Sequence, residues 1–101
     1  MKNVVWSDFA QNQYLSALAY LADRNEPAAA KFAERVRATL SSLANRPIGR
    51  PGKAEDTFEK IVPKTSYLVV YELAGDELRV LRLFHMSQGW QGWGEEKPEA
   101  Q

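Results

Sequence analysis

Tyr67-Leu68-Val69-Val70-Tyr71, then Ala74-Gly75-Asp76-Glu77, then Leu78-Arg79-Val80-Leu81-Arg82-Leu83-Phe84 is the stretch that decides the fold. The first five residues are apolar on both faces of an extended chain, which suits a strand covered from both sides at the centre of a sheet. Gly75 and Asp76 supply the backbone angles of a tight hairpin turn. The returning strand, residues 78–84, alternates. Leu81 and Leu83 share one face, and Val80, Arg82 and Phe84 the other.

Working outward from this hairpin, residues 57–62 read as a further strand, bounded by Pro63. Asn45-Arg46-Pro47-Ile48-Gly49-Arg50-Pro51-Gly52-Lys53 reads as a connecting loop by its Pro and Gly content. Before it the apolar period becomes helical. Ala29, Phe32, Ala33, Val36, Leu40 and Leu43 recur at threes and fours, with Lys31, Glu34, Arg35 and Arg37 mostly on the other face. Residues 9–24 carry a second stripe, Tyr14, Leu15, Leu18, Leu21 and Ala22. Asn25-Glu26-Pro27 separates the two helices. Asn25 suits a helix N-cap and Pro27 a first turn. So short a turn makes an antiparallel helical hairpin. Val4-Val5-Trp6 reads as a strand, and Ser7 then caps the first helix, with Asp8 at the positive end of its dipole.

The expected class is α+β. An N-terminal strand and an antiparallel helical hairpin precede three antiparallel strands, with the helices packed on one face of the sheet. The other face is left as a functional surface. Residues 1–94 form a single domain on this reading, and 95–101 an acidic tail expected to be disordered.

Composition narrows the chemistry. The chain has 101 residues, with 45% hydrophobic and 26% charged, as a soluble globular domain has. It has no cysteine, which removes disulfides and Cys-ligated metal and fits a cytoplasmic protein. The opening run is broken by Asp8 too soon for a signal peptide. No apolar run approaches a membrane span. Net charge is zero, and without the last seven residues it is only +2. A protein that grips a nucleic-acid backbone usually carries a larger excess, so no direct specific nucleic-acid binding is expected. No cofactor is implied.

Several segments, in this order and spacing, resemble the ParE/RelE superfamily of toxins from type II toxin–antitoxin systems. They are Val5-Trp6-Ser7, Pro27-Ala28-Ala29-Ala30-Lys31-Phe32, Gly49-Arg50-Pro51-Gly52, Tyr67-Leu68-Val69-Val70-Tyr71 and Leu81-Arg82-Leu83-Phe84-His85. The resemblance is closer to the ParE branch, which inhibits DNA gyrase and stabilises plasmids, than to the RelE branch, which cleaves mRNA on the ribosome. The ribonuclease branch typically has an Arg facing the RNA where Leu68 stands. A leucine supplies neither a proton nor a cation to the phosphate. The resemblance implies an inhibitor of gyrase, neutralised by a cognate antitoxin whose C-terminal segment folds on binding. The alternatives are a RelE-like endoribonuclease and a non-toxic binding module with the same fold.

The candidate site residues divide by role. His85, the single histidine, is a possible general acid or base. The plainer reading is a strand-end residue bonded to backbone or water. Glu59 and Arg82 are the other catalytic candidates. Lys60 points to the face opposite Glu59, so only one of the two joins Arg82. The plainer reading there is a cross-strand ion pair. Gly49-Arg50-Pro51-Gly52-Lys53 lacks the spacing and the Ser or Thr of a phosphate-binding P-loop. No metal site is expected from one His and no Cys. Trp90 and Trp93, spaced by Gly89, Gly92 and Gly94, suit target-binding anchors together with Arg82. Trp90 suits a core edge equally well. Val70, Tyr71 and the grooves of the helical hairpin are expected to offer apolar surface to the antitoxin.

Overall fold

The computed structural model describes residues 1–87. The elements are β1 (Asn3–Trp6), α1 (Asp8–Arg24), α2 (Glu26–Asn45), β2 (Arg50–Pro51), β3 (Phe58–Ile61), β4 (Tyr67–Ala74) and β5 (Glu77–His85). They form one five-stranded sheet in the order β1-β5-β4-β3-β2, with α1 and α2 on one face. β1 runs parallel to β5, and every other pair is antiparallel. The expected α+β arrangement is therefore present, with one addition. The loop expected at residues 45–53 contains the short strand β2, whose Arg50 and Pro51 pair with Glu59 and Phe58. Pro51 is tolerated because it sits on a sheet edge.

Both helix caps fall where local chemistry puts them. The Ser7 hydroxyl accepts from the Ala10 N–H at 3.0 Å. The Asn25 side chain accepts from the Ala28 N–H at 3.1 Å, while its own N–H donates to the Leu21 carbonyl at 2.7 Å. One residue thus closes α1 and opens α2, which is why the hairpin is so tight. The core beneath it holds Phe32, Val36, Leu40 and Leu43 of α2 against Val69, Tyr71, Leu78, Val80 and Leu83 of the sheet.

The β4–β5 hairpin turns at Gly75, whose φ of +57° favours glycine. Its register corrects the expected faces. Val70 opposes Arg82, but Tyr71 opposes Val80, so Leu81 is an extra residue in β5. This β-bulge reverses the alternation. Val80 joins Leu83 on the helix side rather than Arg82 and Phe84. The bulge is held by α1. The Ser7 hydroxyl donates to the Leu81 carbonyl at 3.2 Å, and the Gln13 side-chain carbonyl accepts from the Leu83 N–H at 2.8 Å. Side chains of α1 and of its N-cap Ser7 thereby replace β1 where that strand ends.

The face away from the helices is not the open surface expected. Leu68, Val70 and Phe84 form a second buried cluster there, with Met86 against it. Among the described residues, no helix is long and apolar enough to cross a membrane.

Candidate functional site

Strand register decides whether the catalytic candidates meet. Arg50, Glu59, Val70 and Arg82 lie in one cross-strand row on the face away from the helices. Glu59 and Arg82 are separated by the whole width of β4, roughly 10 Å at ordinary strand spacing. Glu59 is nearly buried at 4% exposure and accepts instead from Arg50 Nε at 3.1 Å. The Arg82 guanidinium lies over the Phe9 ring, 4.8 Å from its centroid.

His85 points the other way. It pairs with Tyr67, and the two rings meet edge-on at 5.2 Å. Tyr67 packs on Phe32 in the helix-side core. His85 Nδ1 accepts the Ser87 backbone N–H at 3.1 Å, which places the proton of the neutral ring on Nε2. The Ser87 hydroxyl also lies 2.7 Å from Nδ1. The histidine thus holds the turn after β5. Glu59, Arg82 and His85 are not brought together, because the bulge and the register divide them between faces and strands. Leu68 is wholly buried with Val70 and Phe84, so its position serves packing.

Val70 and Tyr71 do not offer the surface expected of them. Both are fully buried, and they face opposite sides of the sheet. Tyr71 stacks on Phe58 with centroids 5.6 Å apart, and its hydroxyl accepts from the Gly49 N–H at 2.9 Å. Burial raises the Tyr71 phenol above its ordinary value, and the Gly49 N–H pulls in the other direction. Trp90 and Trp93 lie outside the described residues.

The apolar surface is elsewhere. A groove of about 500 Å³ opens between β1, α1 and α2. Val4 and Trp6 form its sheet wall, Tyr14 and Leu15 come from α1, and Val36 and Leu40 from α2. Leu15 is 53% exposed, although it belongs to the apolar stripe of its helix. Lys2 and Arg37 stand in the lining, with Lys2 Nζ donating to the Gly75 carbonyl at 2.9 Å and Arg37 paired with Glu34. Trp6 and Tyr14 rings contact at 5.1 Å and stiffen the wall. Sequence periodicity put Leu15 in the apolar stripe of α1 without saying how much of that stripe is covered. The clue it carried is that Leu15 and Ala22 widen the α1 stripe beyond what one helix contact needs.

The family model for the ParE toxin of the type II toxin–antitoxin system, parDE, matches residues 4–90. Among solved structures, the chain resembles the chromosomal ParDE TA system from P. aeruginosa at 18% identity and a TM-score of 0.73, over 84% of this chain and 96% of that one. It resembles the YoeB/ParE toxin from Agrobacterium tumefaciens at 15% identity and a TM-score of 0.58, over 84% and 98%. It also resembles the intact E. coli RelBE toxin–antitoxin complex at 12% identity and a TM-score of 0.55, over 82% and 94%. No protein of curated function matches the chain. At these identities the structural likenesses speak for the fold.

Proposed function

The chain belongs to the ParE toxin family of type II toxin–antitoxin systems, and on that premise we propose that it acts by binding, inhibiting DNA gyrase, rather than by cleaving RNA. One observation carries the choice between those two modes. The candidate proton-transfer groups Glu59 and His85 and the candidate cation Arg82 are dispersed, with Leu68 buried where the ribonuclease branch has its Arg. Metal-free phosphodiester cleavage needs a base, an acid and a cation converging on one phosphate. The choice of gyrase rests on the family's role.

The neutralising partner is the antitoxin, and its seat is the groove between β1, α1 and α2. The groove is apolar and concave, so it suits an amphipathic segment that orders on binding. Trp90 and Trp93 are proposed as the anchors for the toxic target, since tryptophan is enriched among interface hot spots.

The test is a growth assay with two biochemical readouts. Purified protein is expected to inhibit gyrase supercoiling and to leave ribosome-bound mRNA intact. Codon-specific cleavage, abolished by Arg82→Ala or His85→Ala, would overturn this reading in favour of a ribonuclease. Absence of toxicity with retained partner binding would instead leave a binding module.

A further inference from the structure

His85 is the last residue of β5, and the chain then enters a helical turn at Met86 and Ser87. That turn is tied at its root. The Met86 N–H donates to the Ser66 carbonyl at 2.8 Å, and the Met86 side chain packs on Leu68, Val70 and Phe84. The Ser87 N–H donates to His85 Nδ1 at 3.1 Å. His85 therefore stands where a helix N-cap stands, its side chain accepting the N–H two residues on. Ser7 and Asn25 cap α1 and α2 with groups that keep their charge at all ordinary pH. Histidine is the side chain that changes charge between pH 5 and 8.

The capping bond exists only for a neutral ring, because Nδ1 accepts through the lone pair that protonation fills. The Ser87 hydroxyl, 2.7 Å from Nδ1, can rotate and accept from the imidazolium, so that contact survives. The backbone N–H has no such freedom and loses its cap. The ring is half-buried and Ser87 is exposed, so protons reach it. Facing it is Tyr67 of β4, edge-on at 5.2 Å. Beyond Tyr67 stand Phe32 of α2 and Tyr20 of α1, with Arg24 over the Tyr20 ring at 3.7 Å. Burial first, and Tyr20 second, raise the Tyr67 phenol, which stays neutral between pH 5 and 8. Among the described residues no carboxylate forms a salt bridge with His85. We propose that His85 positions the C-terminal segment, residues 88–101, by capping the turn at its root, and that protonating the ring releases this hold. This rests on the reading of Trp90 and Trp93 as anchors for the target, and adds a pH-dependent control on how they are presented.

The full-length protein is followed by NMR from pH 8 to pH 5, with the His85 ring and the Ser87 amide as probes. Protection of the amide, corrected for intrinsic exchange, is expected to fall about fivefold as the ring titrates, the scale of a lost helix cap. Binding to purified gyrase is measured at pH 8 and pH 5.5 for the parent, His85→Asn, His85→Ala and Ser87→Ala. Each affinity is referred to that of His85→Asn at the same pH, which cancels the pH dependence of gyrase itself. Asn is a strong cap that does not titrate. The parent is expected to match His85→Asn at pH 8 and to bind about fivefold more weakly at pH 5.5. His85→Ala is expected to be about fivefold weaker at both, and Ser87→Ala to behave as the parent, because its N–H remains. A parent that tracks His85→Asn at both pH values overturns the proposal, as does an amide whose protection ignores the titration of the ring. Loss of the response in Ser87→Ala would move the effect to the hydroxyl and overturn the cap as well. If neither parent nor variants bind gyrase, the reading of the target falls, and the Ser87 amide alone decides whether the cap holds. That measurement uses the unmodified protein, so it decides the question even if His85→Asn fails to fold.

Discussion

Tyr71 is the residue on which the β2 end of the sheet hangs. Its hydroxyl crosses 22 positions of sequence to accept the Gly49 N–H, and the surroundings leave no slack. A Cβ at Gly49 would lie 2.5 Å from that hydroxyl and 2.7 Å from the Glu59 carbonyl oxygen. Gly49→Ala is therefore expected to destabilise by about 1–3 kcal/mol, the usual cost of overpacking. Tyr71→Phe, which loses only the hydrogen bond, is expected to cost about 1 kcal/mol. Urea denaturation of both variants checks this, and a Gly49→Ala protein as stable as the parent would contradict the geometry. Tyr71 also bears on pH. Burial raises the phenols of Tyr14, Tyr67 and Tyr71 above the ordinary 10.0, so the unfolded chain ionises first. The stability they contribute is fully present below pH 10 and is lost as pH rises through the folded values. Denaturation midpoints measured on either side of pH 10 should fall on the alkaline side, less steeply for Tyr71→Phe. At this scale alternation correctly puts Leu83 and Phe84 on opposite faces. It fails at Val80, because a bulge at Leu81 is fixed by Ser7 and Gln13, which lie some seventy residues away.

The helices were legible because their signals are local. Ser7 and Asn25 act within three residues of themselves, and the α2 stripe is read directly from its period. β2 was not legible, since Arg50 and Pro51 become a strand only by pairing with β3. Periodicity cannot distinguish a buried stripe from one that is half covered, and so α1 misled about Leu15. The contrast yields a paired prediction. Val36 is 2% exposed in the core, and Val36→Asp should unfold the protein, costing more than about 4 kcal/mol by burying an unpaired charge. Leu15→Glu on the exposed rim should change stability by less than about 0.5 kcal/mol, as surface substitutions do. Circular dichroism with thermal melts separates the two. A fully folded Val36→Asp variant would sink the packing described for α2.

For the molecule as a whole, the question is which part meets the target. Deleting residues 88–101 removes Trp90 and Trp93 while leaving every described strand and helix. The shortened chain is expected to keep its antitoxin and lose inhibition of gyrase, read by partner capture and a supercoiling assay. A folded truncation that still inhibits would move the toxic contact to Arg82 and its neighbours. At this scale the class and order of elements were legible, and the family resemblance rested on segments spread through that order. Apolar surface at the helix grooves was expected, but not that β1 forms one wall of it, because elements distant in sequence build that groove. The parallel pairing of β1 with β5 has a consequence in time. Asn3 finds its partner in Glu77, 74 residues later, so the first strand made waits for almost the last. The β4–β5 hairpin, closed by a two-residue turn, can form long before that distant contact is found. During synthesis β1 therefore stays unpaired until β5 has emerged. The surface proposed to receive the antitoxin is completed only then, and a nascent chain cannot be captured there before β5 has emerged.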